Sequence, residues 1–326
     1  PGLQQPLWQQ PPAQPPAPKR GTGWKWGLGG VALLAVIGVT VAVTLTVVGK
    51  GDGGGSPTGN TQSVTAAANS DIASANDTGP VAVIVEEPTC VAQNGIFTAL
   101  AAVTVDGWDK RDPAVPAAEW SSELRAQYEA AVPAIRGAAD QMVVLARTTP
   151  HRVMRELYEQ FIAYSRAYVE RVPTYVPADD QLARTLSSAA DALSRICSAI
   201  TYQSAIARGP LVPALPTPSE LAPIGDPPAP HRFLTESNSV CGDWLAMTTQ
   251  YQNDTEAWAK TDPDVVGSQW TPEQRAINDD VAPVMRRFAS QLTALGAQSG
   301  NPTLRDFADL AAQYRSAYVL ALPSYT

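Results

Sequence analysis

Apolar residues recur at steps of three and four in three stretches of the chain, which is the spacing of one face of an α-helix. These stretches cover residues 124–146, 154–168 and 182–200, and a weaker pattern of the same kind covers residues 90–106. Four helices with short connections favour an up-down-up-down four-helix bundle. The pattern therefore predicts an all-α fold for this part of the chain.

A different pattern occupies residues 27–49, where 23 consecutive residues carry no charge. A helix of this length would reach about 34 Å, enough to cross a hydrocarbon core of about 30 Å. The run is too long for the apolar region of a cleaved signal peptide. Trp24 and Trp26 stand where an interfacial aromatic belt is expected, so we predict one transmembrane helix over residues 24–49.

Basic residues are concentrated before this run. Lys19, Arg20 and Lys25 precede it, whereas Lys50 alone follows it. The positive-inside rule therefore predicts a single-pass inner-membrane protein with a cytoplasmic N-terminus and a periplasmic C-terminal region. Glycines that would let a second membrane helix pack closely are Gly27, Gly30 and Gly38. Glycine is also frequent in membrane helices generally, so helix packing is one of two interpretations.

Composition divides the rest of the chain. Residues 1–23 are rich in proline and glutamine and are predicted to form a cytoplasmic tail, and residues 50–86 are predicted to form a flexible stalk. A second proline-rich segment, residues 205–237, is predicted to be a semi-rigid linker. It separates two helical regions, residues 87–204 and 238–326.

The two helical regions repeat each other at a constant spacing of 150 residues. The motif Trp-x-Lys-x-Asp-Pro occurs at residues 108–113 and again at 258–263, and Tyr-x-x-Ala-Tyr occurs at 164–168 and 314–318. Several matches at one spacing indicate an internal duplication. We therefore predict two tandem homologous domains, each similar to a four-helix bundle.

The cysteines extend this prediction. Cys90 opens the first predicted helix, and Cys197 lies near the end of the fourth, which is at the same end of such a bundle. We predict a disulfide between them, as an oxidising compartment permits; two buried free thiols are the alternative. Cys241 aligns with Cys90, but its partner would fall near position 347, past Thr326. We therefore expect the second domain to be incomplete at its C-terminus, without its fourth helix.

Composition offers little to catalysis or to metal binding. The chain has 31 acidic and 23 basic residues, a net charge of −8, two histidines and three cysteines. An acidic chain does not favour nucleic-acid binding, and no Cys/His cluster typical of zinc sites occurs. His151 follows a proline and His231 lies among prolines, so both are expected at the surface. We predict that the protein is not an enzyme and holds no metal or cofactor.

Residues that recur in both repeats form the one candidate surface for a ligand or a protein partner. They are Trp108, Lys110, Trp120, Tyr164 and Tyr168 in the first repeat and Trp258, Lys260, Trp270, Tyr314 and Tyr318 in the second. The alternative is structural: the tryptophans would clamp the loop between the first two helices, and the paired tyrosines, four residues apart on one helical face, would pack in the core.

The tract PPAQPPAPKR, the apolar run and the Ala/Arg-rich helices with few lysines resemble single-pass, proline-rich-tailed cell-envelope proteins of actinobacteria, especially mycobacteria. The resemblance implies an inner-membrane protein that faces the periplasm, and it implies no catalytic residues. We predict a non-enzymatic accessory or scaffold subunit of a transport or secretion complex in the inner membrane. The alternative is a periplasmic protein that binds a lipid or another small molecule in an aromatic-lined pocket.

Overall fold

The computed structural model describes residues 71–105 and 107–325. The predicted tail, the predicted transmembrane helix with Gly27, Gly30 and Gly38, and the first part of the stalk lie outside these residues. Within the described ranges, no helix combines the length and the apolar character that crossing a membrane requires. The same ranges contain helices and no strands, which confirms the predicted all-α class.

The first repeat contains four long helices and a short fifth one. They are α1 (Cys90–Thr104), α2 (Ser122–Thr148), α3 (Arg152–Arg171), α4 (Asp180–Thr201) and α5 (Ser204–Arg208). The hydroxyl of Ser121 caps α2 by accepting a hydrogen bond from the amide of Leu124 at 3.1 Å. Because α2 packs against α1 and α3, and α4 packs against α3 and α1, the long helices form a bundle.

The second repeat contains α6 (Cys241–Asp254), the short α7 (Glu256–Ala259), α8 (Pro272–Gln298) and α9 (Pro302–Ala321). A capping box starts α8, since Thr271 and Gln274 exchange hydrogen bonds between side chain and backbone amide. Both α2 and α8 have 27 residues with one internal proline, and both α3 and α9 have 20. The helices thus follow the 150-residue spacing of the sequence.

The centre of the molecule is α3, which packs against α2, α4 and α9. Residues 152–165 of this helix are all buried, although several of them are charged. The core of the first repeat also includes Phe307 and Leu310 from α9. The apolar core of the first repeat therefore extends into α9 of the second, so the two repeats pack directly against each other and are not two bundles held apart by a spacer.

The proline-rich segment predicted to be a linker packs against both repeats. Gln160 of α3 accepts a hydrogen bond from the amide of Phe233 and donates one to the carbonyl of His231. From α9, Gln313 donates to the carbonyl of Pro213 at 3.1 Å. Carbonyls in a proline-rich segment lack regular backbone partners, so polar side chains of the neighbouring helices can bind them. Composition alone could not reveal those distant side chains.

The described part of the predicted stalk, residues 71–86, is also packed and not free. Ile72, Val81, Val83 and Ile84 are buried, and the carbonyl of Ile84 accepts a hydrogen bond from the Tyr314 hydroxyl at 3.2 Å. The flexible-stalk prediction is therefore wrong for these residues. The reason is that the apolar side chains near Val81 gain more by burial than the ordered backbone loses in entropy.

Close contact between α8 and α9 depends on Gly296. A Cβ added there would lie 2.7 Å from the Cβ of Ala308 and 3.2 Å from the Cα of Arg305. We expect Gly296→Ala to lower the free energy of unfolding by about 1–3 kcal/mol, because both obstructing atoms are held close to the backbone of α9. Urea-induced unfolding followed by circular dichroism measures this change.

The matched control is Gly137→Ala in α2, where nothing lies within 4 Å of an added Cβ. This substitution should raise the free energy of unfolding by about 0.5–1 kcal/mol, since alanine favours a helix over glycine. Equal effects of the two substitutions would contradict the close approach of α8 and α9.

Candidate functional site

The structure joins Cys90 of α1 to Cys197 of α4, with an Sγ–Sγ distance of 2.08 Å and a Cα–Cα distance of 5.4 Å. This confirms the predicted disulfide. Cys241, the counterpart of Cys90, opens α6 as an exposed free thiol. The disulfide fixes the first and fourth long helices of the first repeat at one end of the bundle.

The recurring tryptophans belong to the loops that connect the first two long helices of each repeat. Trp108 is buried, and its indole N–H donates a hydrogen bond to the Tyr168 hydroxyl at 2.8 Å. The two rings meet edge to face with centroids 5.8 Å apart. Burial raises the pKa of the Tyr168 phenol, so this hydroxyl stays protonated at physiological pH. The pair ties the loop to α3.

Arg111 completes this first cluster, and the sequence analysis did not single it out. Its guanidinium carbon lies 3.8 Å from the centroid of the Trp108 ring, and its Nη2 lies 2.6 Å from Oδ1 of Asp180 at the start of α4. Arg184 binds the other oxygen of Asp180 at 2.7 Å. The comparison of the two repeats did not point to Arg111, because Thr261 occupies the equivalent position of the second repeat.

Trp120 closes the other end of the same loop. Its ring stacks on Tyr128 with centroids 3.9 Å apart, and its indole N–H donates to the carbonyl of Val115 at 2.9 Å. The hydroxyl of Tyr175 donates to the carbonyl of Pro113 at 2.8 Å. Trp120 and Tyr175 therefore each donate a hydrogen bond to a backbone carbonyl of the loop.

The second repeat has the same closures at equivalent positions. Trp270 donates to the carbonyl of Val265 at 3.0 Å, and Tyr325 donates to the carbonyl of Pro263 at 2.7 Å. Trp258 meets Tyr318 edge to face with centroids 5.6 Å apart. These contacts are those of loop clamps and core packing, the structural alternative for the recurring aromatic residues.

Arg315 brings a positive charge into the aromatic cluster of the second repeat. The side chain projects from α9. Its guanidinium carbon lies 5.2 Å from the ring centroid of Tyr251 and 6.0 Å from that of Tyr318. Burial lowers its pKa, and the surrounding tyrosines favour its charge. The equivalent residue of the first repeat is Ser165, so the two clusters acquire their arginines from different elements.

Tyr164 and Tyr314 have a shared role that the sequence did not reveal. The hydroxyl of Tyr164 donates to the carbonyl of Leu234 at 3.0 Å, and that of Tyr314 donates to the carbonyl of Ile84 at 3.2 Å. Each tyrosine thus holds the segment that leads into the other repeat. In both helices this position fixes a connection to the helix bundle.

The lysines of the predicted surface are exposed, unlike its aromatic residues. Lys110 lies in the first clamped loop, and Lys260 pairs with Glu256 one helical turn earlier at 2.7 Å. In the described residues, no group of three or more His, Cys, Asp or Glu side chains is placed to hold a metal ion.

A buried ion pair joins the two repeats. Nε of Arg152 in α3 lies 2.6 Å from Oδ2 of Asp306 in α9, and the two side chains are 3% and 0% exposed. Arg152 also donates to the carbonyls of Asp77 and Gly79. One arginine therefore holds three parts of the molecule together, and the helical pattern of the sequence had no signal for it.

Comparison with known proteins supports the mycobacterial resemblance. Residues 72–326 match the family described as Mycobacterial ESX-1 associated protein. An uncharacterized protein of Mycolicibacterium smegmatis (strain MKD8) is 55% identical over 318 residues, which is 98% of this chain and 84% of the relative. No solved structure matches the chain. The chain therefore belongs to the family of mycobacterial ESX-1 associated proteins.

Proposed function

We propose that this protein is a non-enzymatic accessory or scaffold subunit of a secretion-related complex in the mycobacterial cell envelope. Membership of the ESX-1 associated family supports a role in secretion. In this proposal, residues 24–49 anchor the chain in the inner membrane, and the helical repeats lie on its periplasmic side. The disulfide between Cys90 and Cys197 supports an exported location, because cytosolic thiols are kept reduced.

The outward face of α1 is the observation that carries the proposal. The helix sequence, CVAQNGIFTALAAVT, contains no charged residue. Val91 is 85% exposed, and Val103 and Val105 at the other end are 46% and 49% exposed. A helix at the surface of a soluble domain normally presents charged residues to water. An uncharged outward face favours contact with another protein.

Small residues make this face suitable for a helix. Gly95, Ala99 and Ala102 are exposed between the valines, and nothing lies within 4 Å of a Cβ added to Gly95. A partner helix with an uncharged face could therefore approach α1 closely and bury the valines. The disulfide and the aromatic clamps keep the bundle behind α1 rigid, so this contact would cost little conformational entropy.

Site-specific photocrosslinking in intact mycobacterial membranes tests the proposal. A photoreactive phenylalanine analogue at position 91 should crosslink the protein to a component of the ESX-1 machinery. Val144 is the matched control, since it is also an exposed valine (60%) but lies on α2. The analogue at position 144 should give little of the same product.

Two results would argue against the proposal. One is recovery of the protein from position 91 as an uncrosslinked monomer. The other is an identical set of products from both positions, which would mean that α1 makes no specific contact.

A further inference from the structure

A group of buried and partly buried charges lies between α3 and α9, where the two repeats meet. Its members are Arg152, Arg155, Glu156 and Glu159 of α3 and Arg305, Asp306 and Asp309 of α9. Six of the seven positions form three pairs that are equivalent under the 150-residue spacing, so each repeat contributes the same part of the same helix. An interface that uses the same surface twice brings like residues together. Here it brings carboxyl groups together.

Glu156 and Asp306 are the clearest example of carboxyl groups that the interface brings together. They are equivalent positions of the two repeats, they are 1% and 0% exposed, and each repels the charge of the other. Asp306 has a close partner in Arg152, at 2.6 Å. Glu156 has only a distant one, because Nη2 of Arg155 lies 3.8 Å from its Oε1.

Several carboxyl oxygens of the group accept no hydrogen bond. They are both oxygens of Glu156, Oε1 of Glu159, Oδ1 of Asp306 and Oδ1 of Asp309. A buried carboxylate without hydrogen bonds is costly, and the protonated acid removes most of that cost. The four carboxyl groups also outnumber the three guanidinium groups near them, one of which, Arg152, also faces Asp77. Full ionisation would therefore leave an excess of negative charge inside the interface.

We propose that the α3–α9 interface responds to pH: the repeats are held firmly while Glu156 and Asp309 carry protons, and ionisation of these carboxyl groups loosens α9 from α3. This inference is independent of the proposed role in secretion. It rests on the geometry of the duplication, in which equivalent positions of the two repeats place carboxyl groups near each other.

The surroundings of Glu156 and Asp309 determine the pH range over which these carboxyl groups lose their protons. Burial and the nearby Asp306 raise the pKa of Glu156 well above its ordinary value, against the opposing effect of Arg155 and Arg152. Burial also raises the pKa of Asp309 to about 6, although α8 offers a hydrogen bond from Thr293 and Arg305 lies nearby. Glu159 shifts in the same direction through burial.

Neighbouring elements do not cancel this excess of negative charge. The segment before α1 contributes another acid, Asp77, which accepts a hydrogen bond from the backbone amide of Arg152 and lies 3.8 Å from its guanidinium group. The ion pair that joins α2 to α3, Asp140 with Arg166, lies at the surface.

The sign of the effect follows from proton binding. Between the unfolded pKa near 4 and the folded pKa, the folded protein holds protons that the unfolded chain has lost, so stability falls as the pH rises. For Asp309, the pH range over which stability falls ends near pH 6. The raised pKa of Glu156 extends this range to higher pH. The interface should therefore be firmer at pH 5 than at pH 7.5.

Hydrogen exchange of the full chain at pH 5.0 and 7.5, corrected for the intrinsic exchange rates, tests the inference. Protection of the amides in the first half of α9 should fall about tenfold at pH 7.5, the equivalent of about one pKa unit. In the double variant Glu156→Gln, Asp309→Asn most of this fall should disappear. The control Asp280→Asn neutralises an exposed carboxylate of α8 and should keep the full effect.

Equal protection of wild-type α9 at the two pH values would overturn the inference. A tenfold fall that persists unchanged in the double variant would overturn it as well, since other groups would then be responsible. Both neutral side chains imitate the protonated acids, so the double variant is expected to fold.

Discussion

Removal of the Cys90–Cys197 disulfide, by the double substitution Cys90→Ala, Cys197→Ala, is expected to lower the free energy of unfolding by about 4–5 kcal/mol. The bond joins residues 107 apart in the sequence. Closing a loop of this length in the unfolded chain removes much of its conformational entropy, and the open chain recovers it. Urea-induced unfolding of both proteins under non-reducing conditions measures the difference.

Cys241→Ala is the control for this experiment. Because Cys241 is exposed and free, its loss should change the free energy of unfolding by no more than about 0.5 kcal/mol. If the double variant were as stable as the Cys241→Ala protein, the disulfide would not stabilise the bundle as we infer.

Arg152→Met is expected to have a comparable effect, a loss of about 3–5 kcal/mol. The substitution leaves the buried Asp306 without the guanidinium that binds it at 2.6 Å, and it removes the hydrogen bonds to the carbonyls of Asp77 and Gly79. Methionine keeps much of the apolar volume of the arginine stem, so the measured loss reports on the ion pair and these hydrogen bonds and not on lost packing. The loss should be smaller at pH 5, where protonation of nearby acids relieves the excess negative charge.

Arg287→Met provides the comparison for an exposed pair. Arg287 binds Asp254 at 2.7 Å, but its side chain is more than half exposed. Its replacement should therefore cost about 1 kcal/mol or less. Similar unfolding free energies for the Arg152 and Arg287 variants would mean that the two repeats are not held together by the buried pair.

Local and periodic features of the sequence were sufficient for the main helices of the first repeat. The apolar spacing gave the positions of α2, α3 and α4, because each of these helices has an apolar face that the bundle buries. The disulfide was also predictable, since the topology of a bundle places Cys90 and Cys197 at one end. These features depend on residues close in sequence or on the order of helices.

The inter-repeat contacts could not be predicted in this way. Arg152, Arg155 and Glu156 have the composition of a solvated helix face, but all three are buried in the folded protein, where Arg152 contacts both α9 and the segment before α1. The same holds for Tyr164 and Tyr314, whose hydroxyls bind backbone carbonyls 70 and 230 residues away in the chain. No local pattern identifies a hydrogen-bond partner at such a distance.

The amino-acid sequence alone thus specified the helices, their duplication and the pairing of two cysteines, because periodicity, capping and helix order are local or topological properties. The packing of both connecting segments and the buried charges between α3 and α9 depended on the folded arrangement. The physical reason is that burial of a polar group, and therefore its pKa and its energetic role, is determined by whichever element covers it in three dimensions.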